Sequence, residues 1–370
     1  MSRLAGVALL SALLTLTGGC GGHARPVDQN WQTVALTTDA GFNDVCFADS
    51  SHGWAVGGAY DIPGGLIGVT RDGGKTWTYS SGFVSRWPGV SGFDFTAVTF
   101  FDSLSGCVVG SGGQIFRTDD GGVNWRLTHA GEGAGLSGLS FVDRWHGWAV
   151  GAGVLVTEDG GETWRWAIRG NGDNGYINGS AIQFLDTGTG WMTGQRSIRK
   201  TTDGGVTWTS VSLPLADGEN PWLRDLDFVD AEHGWAVGDE GTILATADGG
   251  VTWTRQTNGV PPPRPRPLQI VHRAHGVDTL DLDGPALGLT LMAVRFVDLD
   301  RGWTVGFFPD EGRSVVLRTD DGGATWREEG EAQGQELRGL FVTARGSGWS
   351  VGDRVRPGEQ VLLRRSPSAL

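Results

Sequence analysis

The stretch HGWAVGDEGTILATADGGVTWT, residues 233–254, combines a histidine, acidic residues, a glycine-rich turn and a tryptophan, the makings of a reactive loop. Its recurrence argues otherwise. The pattern G-[WC]-x-[VT]-G occurs seven times, opening at Gly53, Gly106, Gly147, Gly190, Gly234, Gly302 and Gly348. A phenylalanine precedes each copy at near-constant distance: Phe47, Phe100, Phe141, Phe184, Phe228, Phe296 and Phe341. In six copies an aspartate follows two residues after it (Asp49, Asp102, Asp143, Asp186, Asp230, Asp298). The seventh has Thr343 there, and its turn reads as one residue longer. Downstream, T-x-D-G-G-x-[TN]-W occurs six times, with its aspartate at Asp72, Asp120, Asp159, Asp203, Asp248 and Asp321. Self-similarity at a period of about 40–45 residues marks a repeat architecture.

Each unit reads as four short strands. One ends at the Phe-x-Asp, a tight turn follows, and GWAVG opens the second. A glycine-containing link leads to a third, such as TILATA, and DGG turns the chain into a fourth that starts at the Trp. Four antiparallel strands per unit is the pattern of a propeller blade. The seventh unit, ending at VLLRRSPSAL, lacks its fourth strand, while NWQTVALTT at the other end offers a spare one beginning at Trp31. The pattern therefore predicts an all-β, seven-bladed β-propeller over residues 30–365, closed by the N-terminal strand, which removes two open edges. A long insertion interrupts it at 259–290.

T-x-D-G-G-x-T-W resembles the Asp-box, or BNR repeat, of sialidases, other glycan hydrolases and sortilin-type receptors. Together with F-x-D and GWAVG in seven units, it looks most like the photosystem II assembly and stability factor family, over nearly all of the mature chain. The resemblance implies a non-enzymatic scaffold that binds a client protein through arginines on the propeller surface. The positions here that correspond are Arg117, Arg318 and Lys200, just before the Asp-box threonine. Val69, Val156 and Ala245 hold that place in three other blades, so the patch is incomplete.

The N-terminus bears on location. Arg3, the apolar run Leu4–Leu16 and TGGC ending at Cys20 form a secretory signal too short to span a bilayer. Gly18 and Gly19 before Cys20 resemble a lipobox, so residues 1–19 read as a lipoprotein signal peptide and Cys20 as the lipidated residue. Residues 20–29 then form a tether. Thr17 replaces the usual leucine, and plain secretion is the alternative. A net charge of -13 argues against nucleic acid or an anionic membrane as partner. Cys46 and Cys107 each replace an apolar residue in a strand and read as buried free thiols, although export permits pairing.

The acidic turns are expected to be structural. One carboxylate per blade, repeated around a ring, cannot converge on one substrate, and the Asp can accept N–H bonds inside its own turn. His52, His146 and His233 sit in equivalent turns of blades one, three and five, too far apart for a metal site. No metal or cofactor is implied. A sialidase would need a tyrosine nucleophile with an acid partner and an arginine cluster. Only Tyr60, Tyr79 and Tyr176 exist, and Tyr79 follows an Asp-box Trp. A glycan-active propeller, hydrolase or binding module, is the alternative reading.

Function is expected in the insertions. Strand order places them on the face opposite the Asp-boxes: 59–65, 82–93, 169–180, 259–288 and 307–312. That face carries Arg86, Trp87, Tyr176, Trp222, Arg224, Phe307 and Phe308, residue types enriched where proteins meet. PPPRPRP from Pro261, with Arg264 and Arg266, reads as a stiff spacer or a ligand for another module. The expected partner is a protein, possible within a membrane complex, and the propeller itself is expected to be a monomer.

Overall fold

The computed structural model describes residues 30–36, 38, 40–59, 62–81, 93–131, 134–170, 178–260, 269–273, 276–280, 288–354 and 361–366. Seven four-stranded antiparallel sheets form a β-propeller. The first six run in chain order: in blade 5, for example, Leu223–Phe228, Gly234–Gly238, Ile243–Thr246 and Thr254–Gln256. The seventh takes Gln335–Val342, Gly348–Arg354 and Val361–Arg365 from the C-terminus, and Trp31–Ala35 as its outer strand. Trp31 pairs with Arg365 and Ala35 with Val361, so the ring closes by backbone hydrogen bonds. Within the long insertion, Gln269–Arg273 and Gly276–Leu280 pair as a separate hairpin. Among the described residues no helix is long and apolar enough to cross a membrane.

The repeat motif is the seam between blades. In GWAVG of blade 5, a Cβ on Gly234 would come within 2.6 Å of the Phe228 ring, so only glycine lets the ring lie flat on the strand. The tryptophan that follows points at the next blade. The Trp54 ring stacks on Phe100, Trp148 on Phe184, Trp191 on Phe228, Trp235 on Phe296 and Trp349 on Phe47. The same indoles donate to an Asp-box glycine carbonyl of that next blade, at Gly121, Gly204, Gly249, Gly322 and Gly73, at 2.9–3.1 Å. One side chain thus supplies both the apolar area and the polar link of a seam.

Two seams depart from this. Blade 2 has Cys107 in place of Trp, and the Arg117 guanidinium donates to the Gly160 carbonyl instead. Blade 7 has no Asp-box, and Glu329 takes over. Its buried carboxylate accepts from Trp31 Nε1 at 2.9 Å and Trp303 Nε1 at 2.8 Å. It also accepts from Arg318 Nη1 at 2.9 Å and Arg365 Nη2 at 3.1 Å.

The seventh blade also corrects an expectation. Val342, not Phe341, pairs with Gly348 as Phe228 pairs with Gly234. The turn Thr343–Ser347 closes from N–H to carbonyl over the same five residues as Val229–His233, so it is not longer. What has shifted is the phenylalanine, and the Trp31 ring of the closing strand lies over Gly348 in its stead. Cys46 and Cys107 are unpaired, and burial pushes both thiols up to about 12.

Candidate functional site: the channel and the two faces

The innermost strands of all seven blades surround a central cavity of about 340 Å³. Each of these strands breaks its ladder once, for instance between Leu223 and Asp225, and between Leu337 and Gly339. The bulge turns two successive residues toward the channel, so Asn43 with Asp44, Arg224 with Asp225, and Arg338 with Gly339 all line it.

An inner strand has an unpaired backbone edge, and the neighbouring blade supplies its acceptors. Asp44 accepts from the Val98 amide at 2.9 Å, Ser140 from Phe184 at 2.9 Å and Gln183 from Phe228 at 2.6 Å. Asp225 accepts from Val294 at 3.0 Å and Asp227 from Phe296 at 2.6 Å. Across the last seam, Arg338 Nη1 donates to Asn43 Oδ1 at 2.8 Å. The Arg295 guanidinium donates to Asp225 at 2.6 Å and is held charged above its usual range by Asp225, Asp227 and Asp44, against the opposing effect of burial. Burial pushes Asp44 up to about 6, against the Val98 amide, and Asp227 up to about 6, against Arg295. Sequence reading missed this set. The signal was present, because every member lies one, three or four residues before the strand's Phe-equivalent, but only a closed ring makes those positions converge.

On one face of the disc lie the Asp-boxes. Asp72 Oδ1 accepts from the Lys75 and Thr76 amides at 3.0 and 2.9 Å, and Oδ2 from the Thr76 hydroxyl at 2.6 Å. Asp120, Asp159, Asp203, Asp248 and Asp321 repeat the arrangement with Asn124, Thr163, Thr207, Thr252 and Thr325. The Asp-box glycines take positive φ, 70° and 82° at Gly249 and Gly250, which closes the loop. The turn before GWAVG is bonded to the same loop, Gly249 N to Glu232 O at 2.8 Å, so both lie on this face. His52, His146 and His233 each bond through Nδ1 to the aspartate of their own turn at 2.8–3.0 Å. Among the described residues no three ligating side chains gather into a metal site.

The threonine hydroxyls hold Asp72, Asp203 and Asp248 down to about 2. A carboxylate depressed in the folded state stabilises it fully above the unfolded value, about 4, and ceases to as pH falls toward 2. Stability in urea is therefore expected to decline between pH 4 and 2, with a shallower decline in Asp248→Asn. A stability that stays flat over that interval would contradict the assignment.

The sequence-predicted residues separate into groups. Arg117, Lys200 and Arg318 are seam residues near the Asp-box face: Arg117 also bonds Asp119 at 2.6 Å, and Lys200 donates to the Gly249 carbonyl at 2.8 Å. Arg318 lies 5.3 Å over the Trp303 ring and bonds Glu329. On the opposite, insertion face, Trp222 is half-buried with its indole donating to Ser180 Oγ, and Arg224 pairs with Asp239 at 2.9 Å. Phe307 is half-buried. Phe308 was expected at the surface, but it is 2% exposed and packs in the core between blades 5 and 6. The cause is the longer hairpin Gly302–Phe308/Arg313–Thr319, whose end residue folds inward under Arg313. Cys20, Arg86, Trp87, Tyr176, Arg264 and Arg266 lie outside the described residues. Among the described residues the exposed large apolar side chains, Leu104, Val123, Trp145, Val206, Val251 and Leu299, all lie in turns of the Asp-box face, which sequence reading did not single out.

Comparison with known proteins follows the repeats. The family described as photosynthesis system II assembly factor YCF48 matches residues 23–130, 128–221 and 215–264, more than half of the chain. The chain is 26% identical over 171 residues to the photosystem II assembly lipoprotein Ycf48 of Synechococcus sp. strain CC9902, which is 46% of this chain and 42% of that relative. Similar solved folds include YCF48 bound to a D1 peptide, at 17% identity and a TM-score of 0.63, covering 91% of this chain and 96% of that one. YCF48 from Cyanidioschyzon merolae gives 20% identity and 0.64, covering 92% and 99%. The GH74 xyloglucanase of Xanthomonas campestris gives 15% and 0.58, covering 91% of this chain but 54% of the enzyme. At these identities the structural likenesses speak to the fold, and the family rests on the sequence match: this chain belongs to the photosystem II assembly factor YCF48 family.

Proposed function

We propose that the chain is an exported, lipid-anchored propeller that holds a protein partner by equilibrium binding and makes or breaks no bonds. The observation that carries this is membership of an assembly-factor family. A YCF48 structure with a D1 peptide supports a protein as the bound species, and the leader ending at Cys20 supports the anchor. The propeller supplies a rigid frame with two candidate docking faces, the insertions around Trp222 and Phe307 and the apolar turns around Trp145.

The test is co-purification from detergent-solubilised membranes with the full chain and two variants, Trp222→Ala on the insertion face and Trp145→Glu on the Asp-box face. A stoichiometric membrane-protein partner lost in Trp222→Ala supports the reading and the insertion face. Loss in Trp145→Glu alone moves the contact to the other face. Cys20→Ala should shift the protein from the membrane to the soluble fraction. The glycan-active reading draws on the GH74 neighbour and on Asp44 and Asp227, whose carboxyls lie at about 6 in the channel. Turnover of any glycan that disappears in Asp44→Asn or Asp227→Asn would overturn the scaffold reading.

A further inference from the structure

Blade 4 departs from all six of its fellows at one core position and from five of them at a second, where blade 1 has Gly68. In blades 1, 2, 3, 5, 6 and 7 the fourth residue of the G-[WC]-x-[VT]-G strand is Val56, Val109, Val150, Val237, Val305 and Val351, each fully buried. In blade 4 it is Thr193, 1% exposed, and its hydroxyl finds no partner. On the next strand, the register that pairs Val108 with Phe116, Ala149 with Leu155, Ala236 with Leu244, Thr304 with Leu317 and Ser350 with Leu363 pairs Met192 with Arg199. Those five apolar partners are buried. Arg199 is half-buried, and among the described residues its guanidinium makes no ion pair or hydrogen bond.

A cavity of about 210 Å³ opens where these departures fall. Thr193, Arg199, Met192, Ser197 and Trp222 line it, with Asn178 and Gln195. Trp222 is set in place by its indole bond to Ser180 and by the Arg224 guanidinium 5.8 Å from its ring. A half-buried guanidinium without a counter-ion and a buried hydroxyl without a partner both cost folding stability. A ligand with a carboxylate on an apolar body offsets both, because the guanidinium fork matches a carboxylate and Met192 and Trp222 offer apolar contact.

We infer that blade 4 carries a carboxylate-binding pocket, with Arg199 as the anion-holding residue, Thr193 as a second donor and Trp222 as a wall. Its occupant is either a small free carboxylate or the C-terminal carboxylate of a peptide. The inference stands apart from the scaffold reading, since direct binding to the purified chain tests it and partner co-purification tests the other.

The experiment measures binding of N-acetylleucine and N-acetylleucinamide to the full chain by calorimetry. An acetylated glycine–serine hexapeptide ending in leucine, free or amidated at its C-terminus, is measured in parallel. The acid is expected to bind at least about tenfold tighter than the amide in one or both pairs. Preference in the first pair identifies a small-acid site; preference confined to the peptide pair identifies a chain terminus. Arg199→Leu restores the leucine that four blades have at this position, so its Tm should equal or exceed that of the unchanged protein while the acid preference vanishes. Thr193→Val should raise Tm and weaken acid binding. Equal binding of acid and amide, no binding of any probe, or a preference that survives Arg199→Leu in a folded protein would overturn the proposal.

Discussion

Replacing Glu329 with alanine is expected to lower the unfolding free energy by about 3–5 kcal/mol, the range for removing one member of a buried ionic network. Glu329 is 1% exposed and Arg365 is 2% exposed. Its loss leaves the Arg365 and Arg318 guanidiniums and the Trp31 and Trp303 indoles without their common acceptor. These groups come from both ends of the chain, so the loss falls on the strand pair that closes the ring. Proteolysis of the N-terminal strand should rise together with the drop in urea midpoint. Glu329→Gln keeps the shape and one acceptor oxygen and should cost less than alanine. Burial raises the Glu329 carboxyl, but the bonds from Arg365 and Arg318 outweigh it and hold it at about 2. Its contribution is therefore complete above pH about 4.5 and lost as pH falls toward 2. An alanine variant with unchanged midpoint and unchanged protease sensitivity at pH 7 would show that the closure does not depend on this residue.

Trp191→Ala should destabilise by about 3–5 kcal/mol, as truncation of a buried aromatic does. Trp191 is fully buried, its ring centroid is 3.8 Å from that of Phe228, and its indole donates to Gly249 at 3.0 Å. Alanine removes the stacked area, opens a cavity between blades 4 and 5, and leaves the Gly249 carbonyl with Lys200 as its side-chain donor. Trp191→Phe retains a ring against Phe228 and loses the donor, so about 1–3 kcal/mol is expected. Trp145 provides the internal control: it is 51% exposed, and Trp145→Ala should stay within about 0.5 kcal/mol of the unchanged protein. Urea unfolding of the three variants checks the order. Comparable losses at Trp191 and Trp145 would refute the seam assignment.

Much of this was legible in the residues themselves. Seven GWAVG-type strands, six Asp-box turns and a spare strand at Trp31 specify seven blades and their closure, because each repeat has one way to bury its Phe and Trp. Less legible was blade 7. The eye aligns Phe341 with the other phenylalanines, yet the register is decided by a five-residue turn and by the Trp31 ring arriving from the far end of the chain. Phe308 misled for a related reason: whether the residue ending a hairpin strand faces water or core depends on hairpin length, which residue type does not reveal.

The sequence by itself determined the blade, the number of blades and the structural character of the acidic turns, because those rest on contacts within one repeat or between identical neighbours. The tertiary structure alone decided where charge gathers. Asp44, Asp225, Asp227 and Arg295 come from three different blades, and Trp31, Trp303, Arg318, Glu329 and Arg365 from both ends of the chain. They meet because a bulge in each inner strand turns an extra residue inward and the ring closes on itself. No local pattern encodes either event.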